Sequence, residues 1–187
     1  ADEIRAKVVK LHNHMVIEAL AGETSGSRAL FNVASNFQSS SMLEFRHHLQ
    51  VHPEVSITRR IPMRTTALKD LDIWGGFGQD NFLNLDVQGA ELKVLKGLGH
   101  RLQHFSFIYT EVNTMELYAD CPMIEDIDEF LQGCGFYRAD WEILNRYGWG
   151  DALYLRNGFQ FLSRKVRRAL RKVRRISAQS AAGRGHW

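Results

Sequence analysis

Residues 81–98 read NFLNLDVQGAELKVLKGL, and this stretch decides the fold. Phe82, Leu83, Leu85 and Val87 make an apolar run, Asp86 closes it, and Gln88-Gly89 break it. Ala90 to Leu98 then has helical spacing, with Leu92, Leu95 and Leu98 on one stripe and Lys93 and Lys96 off it. A buried strand, a tight glycine turn and a helix form the half-unit of a parallel α/β sheet. In such sheets ligands bind at the carboxyl ends of the strands. Asp86 stands at that end, and Glu91 falls in the first turn of the following helix. The helix dipole favours an acid in a first turn, so Glu91 also has a purely structural reading. The two acids together, either side of a glycine turn, mark a candidate site.

The same pattern extends in both directions. Downstream, Phe105–Val112 is a buried strand ending at Glu111. Ile124–Leu131 is an amphipathic helix closed by Gly133 and Gly135. Phe136–Leu144 and Asp151–Arg156 read as two strands joined through an Arg-Tyr-Gly-Trp-Gly turn, an antiparallel hairpin. Upstream, Asp2–Leu11 reads as a short helix, Met15–Leu20 as a buried strand, Ser25–Ser27 as a turn and Arg28–Val33 as a second strand. Leu43–Val51 is expected to be helical up to Pro53, and Val55–Met63 to be extended. Gly75, Gly76 and Gly78 punctuate a loop before the central stretch. Period alone therefore gives an α/β fold with a mixed sheet.

The 187 residues suit one domain with a substantial core. No run of about 18 apolar residues is present, and no signal peptide is visible. Cys121 and Cys134 are the only cysteines and form no CxxC, which points to a reducing, cytoplasmic setting and to small buried hydrophobes. Charge is unevenly spread. Residues 157–187 hold Arg164, Lys165, Arg167, Arg168, Arg171, Lys172, Arg174, Arg175 and Arg184 with no acid, so residues 1–156 are net acidic although the whole chain is +3. Two regions follow: a globular part over 1–156 and a tail over 157–187. In the tail Leu162, Val166, Leu170, Val173 and Ile176 recur at helical spacing, making a basic amphipathic helix. Such a helix packs on the body, lies solvated, or rests peripherally on an anionic membrane surface. Nucleic acid, gripped through phosphates, is the less favoured partner.

The block LDVQGAELKVLKGL resembles the signature of the FkbM family of S-adenosylmethionine-dependent methyltransferases. Other blocks fall in the family's order: Ala19-Leu20 at a strand end, Asn-Val-Ala-Ser leading to Ser39–Ser41, Leu68-Lys69-Asp70-Leu71, a strand ending in Glu111, and Tyr118 beyond it. The resemblance spans roughly residues 14 to 156. It implies a class I, Rossmann-like methyltransferase fold with a mixed sheet and the C-terminal antiparallel hairpin. It also implies S-adenosyl-L-methionine as cofactor, with Ala19 and Leu20 beside the adenine and Asp86 near the methyl end. A class I enzyme opens with a strand and a glycine loop, and residues 1–14 contain no glycine. The expectation is a chain truncated at the N-terminus, poor at binding the cofactor.

Methyl transfer to an alcohol needs in-line alignment and a base for the hydroxyl proton. Asp86, Glu91 and Glu111 are the catalytic candidates, and Ser40, Ser41 and Asn113 the candidates for holding an acceptor. Two of the carboxylates would alternatively suit a divalent metal. The bland readings are a salt bridge or cap for Glu111, a polar loop for the serines and a turn-stabilising role for Asn113. His48 and His52 lie four apart without a third ligand, and His47-His48 reads as a solvated surface. His100 and His104 suit a helix end. Trp74, Trp141 and Trp149 read as core or loop packing. The function implied is O-methylation of a hydroxyl on a small molecule, sugar or glycan. The rival is an inactive methyltransferase-like remnant that binds a membrane or polyanion through its tail.

Overall fold

A computed structural model of the chain describes residues 5–6, 14–78, 81–144 and 146–158. The chain divides between Asn157 and Gly158, and the fold given is that of the first unit. The basic tail helix lies outside the described residues. So does the expected Asp2–Leu11 helix, of which only Arg5 and Ala6 are described.

Among the described residues seven strands form two sheets. In the first, β1 (Leu20–Ala21), β2 (Arg28–Ala34) and β3 (Ile57–Thr66) are ordered β1-β3-β2. Strand β1 runs parallel to β3, and β2 antiparallel to it. In the second, β4 (Asn81–Leu85), β5 (Phe105–Asn113), β6 (Phe136–Leu144) and β7 (Trp149–Arg156) are ordered β4-β5-β7-β6. Strands β4 and β5 are parallel, and the other pairings are antiparallel. The fold is α/β with mixed sheets. The expected hairpin is present, with β7 starting at Trp149 rather than Asp151, so Trp149 and Gly150 of the expected turn belong to the strand.

Helices α1 (His48–Val51), α2 (Glu91–Leu98) and α3 (Ile124–Gly133) complete the unit. Val94, Leu95 and Leu98 of α2 join Ile124, Ile127 and Leu131 of α3 in one core with Leu85, Ile108, Val112, Ala152 and Tyr154 of the second sheet. Each such aliphatic side chain contributes about 1.5–3 kcal/mol on burial. The buried stripe of α2 is Glu91, Val94, Leu95 and Leu98 rather than Leu92, Leu95 and Leu98. The helix starts at Glu91 with that carboxylate turned inward, which rotates Leu92 to a half-buried position. At the far end of α2, Gly97 lies against the backbone carbonyl of Gly22, where any Cβ would overlap it.

Several expectations need correction. Met15–Leu20 is not a buried strand: β1 holds only Leu20–Ala21, and Met15 is 70% exposed. The apolar letters there do not alternate, and among the described residues only Leu20 of this stretch pairs with a strand, β3. Leu43–Val51 is helical only over its last turn. Its first half makes extended pairings instead, with Arg46 N donating to Leu117 O at 2.8 Å and Ala119 N to Glu44 O at 2.8 Å. Glu111 does not end β5, which continues to Asn113. His48 is 3% exposed, not solvated, and stacks on Phe45 with ring centroids 4.3 Å apart. Burial, with His52 next to it, pushes the His48 imidazole down to about 4. Trp74 is core, whereas Trp141 is 53% exposed with the Arg138 guanidinium over its ring.

Candidate functional site

The parallel pairing of β4 with β5 sets Leu85 opposite Thr110, so the next residues come level, Asp86 just past the end of β4 and Glu111 two residues before the end of β5. Residues two apart on a strand share a face, so Asn113 lies on the same face as Glu111. The chain then turns sharply at Gln88 (φ 52) and Gly89 (φ 90) before entering α2. A left-handed conformation is unusual for glutamine and needs support from its surroundings. At Gly89 a Cβ would sit 3.1 Å from Cys121 Cβ and 3.1 Å from Tyr118 Cδ2, so glycine lets the segment 118–121 close on the turn.

Three side chains hold that turn. Glu91 Oε1 accepts from the Val87 N–H at 3.1 Å and the Gly89 N–H at 3.2 Å. Ser41 Oγ donates to the Gln88 carbonyl at 2.7 Å, while accepting from the Leu43 N–H at 3.0 Å. Tyr118 Oη donates to Gln88 Oε1 at 2.8 Å and lies 3.2 Å from the Ser39 carbonyl. The Gln88 side chain then reaches across the strand ends. Its Nε2 donates to Asp86 Oδ1 at 2.6 Å and to Glu111 Oε2 at 3.2 Å.

The electrostatics follow from three carboxylates in a small space. Glu91 is 0% exposed, and burial pushes its carboxyl up to about 7, against the backbone donors that favour its charged form. Glu111 is held well above the ordinary carboxylate range. Burial is the main cause, followed by the negative charges of Glu91, Asp86 and Asp151, with the Gln88 amide opposing. Burial likewise pushes the Tyr118 phenol up, so it stays protonated and donates. Asn113 is 0% exposed and neither its Oδ1 nor its Nδ2 has a hydrogen-bond partner among the described residues. Glu91 Oε2 is in the same condition.

The structure brings Asp86, Glu111 and Asn113 together at one end of the second sheet. Glu91 is placed beneath them, wholly buried, where it braces the turn. Ser41 is buried and engaged with Gln88, and Ser40 Oγ accepts from the Ala34 N–H at 3.0 Å, so both hydroxyls brace the backbone. Ala19 is exposed and Leu20 sits in β1. The segment that follows them packs at the C-terminal end of α2, away from the acids at its N-terminal end. Among the described residues no group of three or more His, Cys, Asp or Glu is arranged to hold a metal. Gln88 and Tyr118 are the members that sequence reasoning did not assign. Tyr118 was legible only as a downstream pattern residue, because its partner is 30 residues earlier.

Carboxylates toward the ends of parallel strands, beside a glycine turn and a helix start, stand where α/β domains commonly bind ligands. The methyltransferase FkbM domain matches residues 7–137 of the 187, and the chain belongs to that family. Neither the curated proteins nor the solved structures include a match to the chain. Among the described residues no helix is long and apolar enough to cross a membrane.

Proposed function

We propose that the chain is an S-adenosylmethionine-dependent methyltransferase of the class I type that methylates a hydroxyl on a small molecule, sugar or glycan. The observation that carries this reading is the side-by-side placing of Asp86, just past β4, and Glu111, two residues before the end of β5, in a chain of the FkbM family. S-adenosylmethionine, when bound, supplies a methyl group on a positively charged sulfur. The residues present fit such a cation. Gln88 occupies one oxygen of each carboxylate, and Asp86 is exposed. Asp86 is the residue to hold the cationic end.

Glu111 is the base. Its raised affinity for protons makes it a strong acceptor, and a positive charge brought beside it favours its ionised form. Its Oε1, not engaged by Gln88, takes the hydroxyl proton of the acceptor. Asn113, with a donor and an acceptor both unsatisfied on the same face, orients that hydroxyl. The test is formation of S-adenosylhomocysteine over a panel of hydroxylated sugars and small alcohols, using the chain with any residues its gene encodes before Ala1. Glu111→Gln is expected to lower turnover by about 10²–10⁴. Turnover equal to wild type in that variant would remove Glu111 from the chemistry.

A further inference from the structure

The geometry points to Gln88 as a positioning residue: its side-chain amide ties Asp86 and Glu111 into one fixed pair, and Tyr118 fixes which way the amide faces. This rests on the methyl-transfer reading and deepens it. The amide has two N–H bonds, and they are directed to one oxygen of each carboxylate, at 2.6 and 3.2 Å. Its oxygen is turned the other way by the Tyr118 hydroxyl at 2.8 Å. Each carboxylate is thereby left with one oxygen that the amide does not engage, Asp86 Oδ2 and Glu111 Oε1. Two carboxylates side by side repel whenever both are ionised, and a neutral double donor between them holds them close in either protonation state of Glu111. A lysine would neutralise the pair, and a carboxyl would compete with it for protons.

The backbone has been shaped to put the amide there. Gln88 holds a φ of 52, which a non-glycine residue adopts at a cost. Ser41 Oγ pins its carbonyl at 2.7 Å and Glu91 Oε1 pins the N–H groups on either side of it. All this support converges on one exposed-side amide. A turn needing only to reverse the chain would be satisfied by glycine at this position.

The charged and titratable groups around the amide are Asp86 from the end of β4, Glu91 from α2, Glu111 from β5, Asp151 from β7, and Tyr118 and Cys121 from the segment packed on the turn. Gln88→Glu keeps the shape and replaces the double donor by a titrating group. Its carboxyl, among these acids, is protonated above the ordinary carboxylate range. While protonated it donates one hydrogen bond to the pair; once ionised it repels both. The variant therefore works best at low pH relative to wild type and loses ground as pH rises.

Two readouts are taken from wild type, Gln88→Glu and Tyr118→Phe across about pH 5 to 9. One is the rate of S-adenosylhomocysteine formation with the best acceptor of the panel above. The other is the urea midpoint of unfolding. The expected result is a Gln88→Glu to wild-type ratio of kcat that falls at least tenfold over the range. Its urea midpoint should decline in step relative to wild type. Tyr118→Phe should lower kcat several-fold with KM unchanged and no new pH dependence. A ratio that stays flat, with parallel urea midpoints, overturns the inference. If wild type forms no product while the urea midpoints still diverge, the methyl-transfer reading has failed. The tie between the two carboxylates then stands on its own.

Discussion

Glu91→Gln separates bracing from catalysis, because it removes a charge and keeps an acceptor. In the folded chain the Glu91 carboxyl is raised from its usual 4.5 to about 7, chiefly by burial. The folded state therefore binds more protons than the unfolded chain between those values, and stability falls as pH rises through the window. It is fully present below about pH 4.5 and lost by the time pH passes about 7. At 1.36 kcal/mol per pKa unit, ionisation of Glu91 removes roughly 3 kcal/mol. Glutamine still offers Oε1 to the Val87 and Gly89 N–H groups. It places an NH2 where Glu91 Oε2 has no partner, at a cost of about 1–3 kcal/mol that does not vary with pH. The variant should thus be less stable than wild type near about pH 5 and equal or more stable near about pH 8. Urea unfolding followed by circular dichroism at four pH values in that range reads the crossing. Groups that do not interact with Glu91 cancel in the difference between the two proteins, while Glu111, raised in part by the Glu91 charge, is relieved in the variant and adds to the same trend with pH. A difference in stability that is the same at every pH would refute the reasoning.

Gly97→Ala should lower the thermal midpoint. Alanine is the better helix former by about 1 kcal/mol, but its Cβ would overlap the Gly22 carbonyl, and backbone does not yield as a side chain does. Gly89→Ala should destabilise by about 1–3 kcal/mol, since φ is 90 and the new methyl meets Cys121 and Tyr118 at 3.1 Å, read by the same melt. Asn113→Leu should raise stability while lowering turnover, because it removes two buried unsatisfied polar atoms that an acceptor would otherwise engage. A loss of stability in that variant would show that Asn113 serves the fold.

The half of the fold that carries the site was legible because its signals are local. The run from Asn81 through Leu98 contains its own strand, breaker and helix, β5 is one apolar run, α3 one amphipathic stretch, and the hairpin two strands about a glycine-containing turn. Asp86 was readable as a strand-end acid for the same reason, whereas β5 runs two residues past Glu111. What could not be read depends on partners distant in sequence. Leu43–Phe45 carries helical spacing, yet residues 116–119 claim its backbone. Met15 and Ile17 are apolar, yet both are exposed in the described unit. Gln88 looks like a strand breaker, and its left-handed backbone and double-donor role emerge only with Tyr118 and Glu111 in place. Ser40 and Ser41 read as acceptor-holding or as a polar loop, and their hydrogen bonds to Ala34, Leu43 and Gln88 are not visible in the sequence.

The central claim is that Asp86 and Glu111 form the end of a S-adenosylmethionine site. Calorimetric titration of that cofactor into the chain, carrying any residues encoded before Ala1, tests it most directly, beside Asp86→Ala and Glu111→Gln. The account predicts saturable binding to wild type, weakened at least about tenfold by Asp86→Ala, the loss of one charged contact of about 1.4 kcal/mol or more. Glu111→Gln should bind nearly as wild type and fail in turnover. No binding to wild type, or binding indifferent to Asp86→Ala, would contradict it.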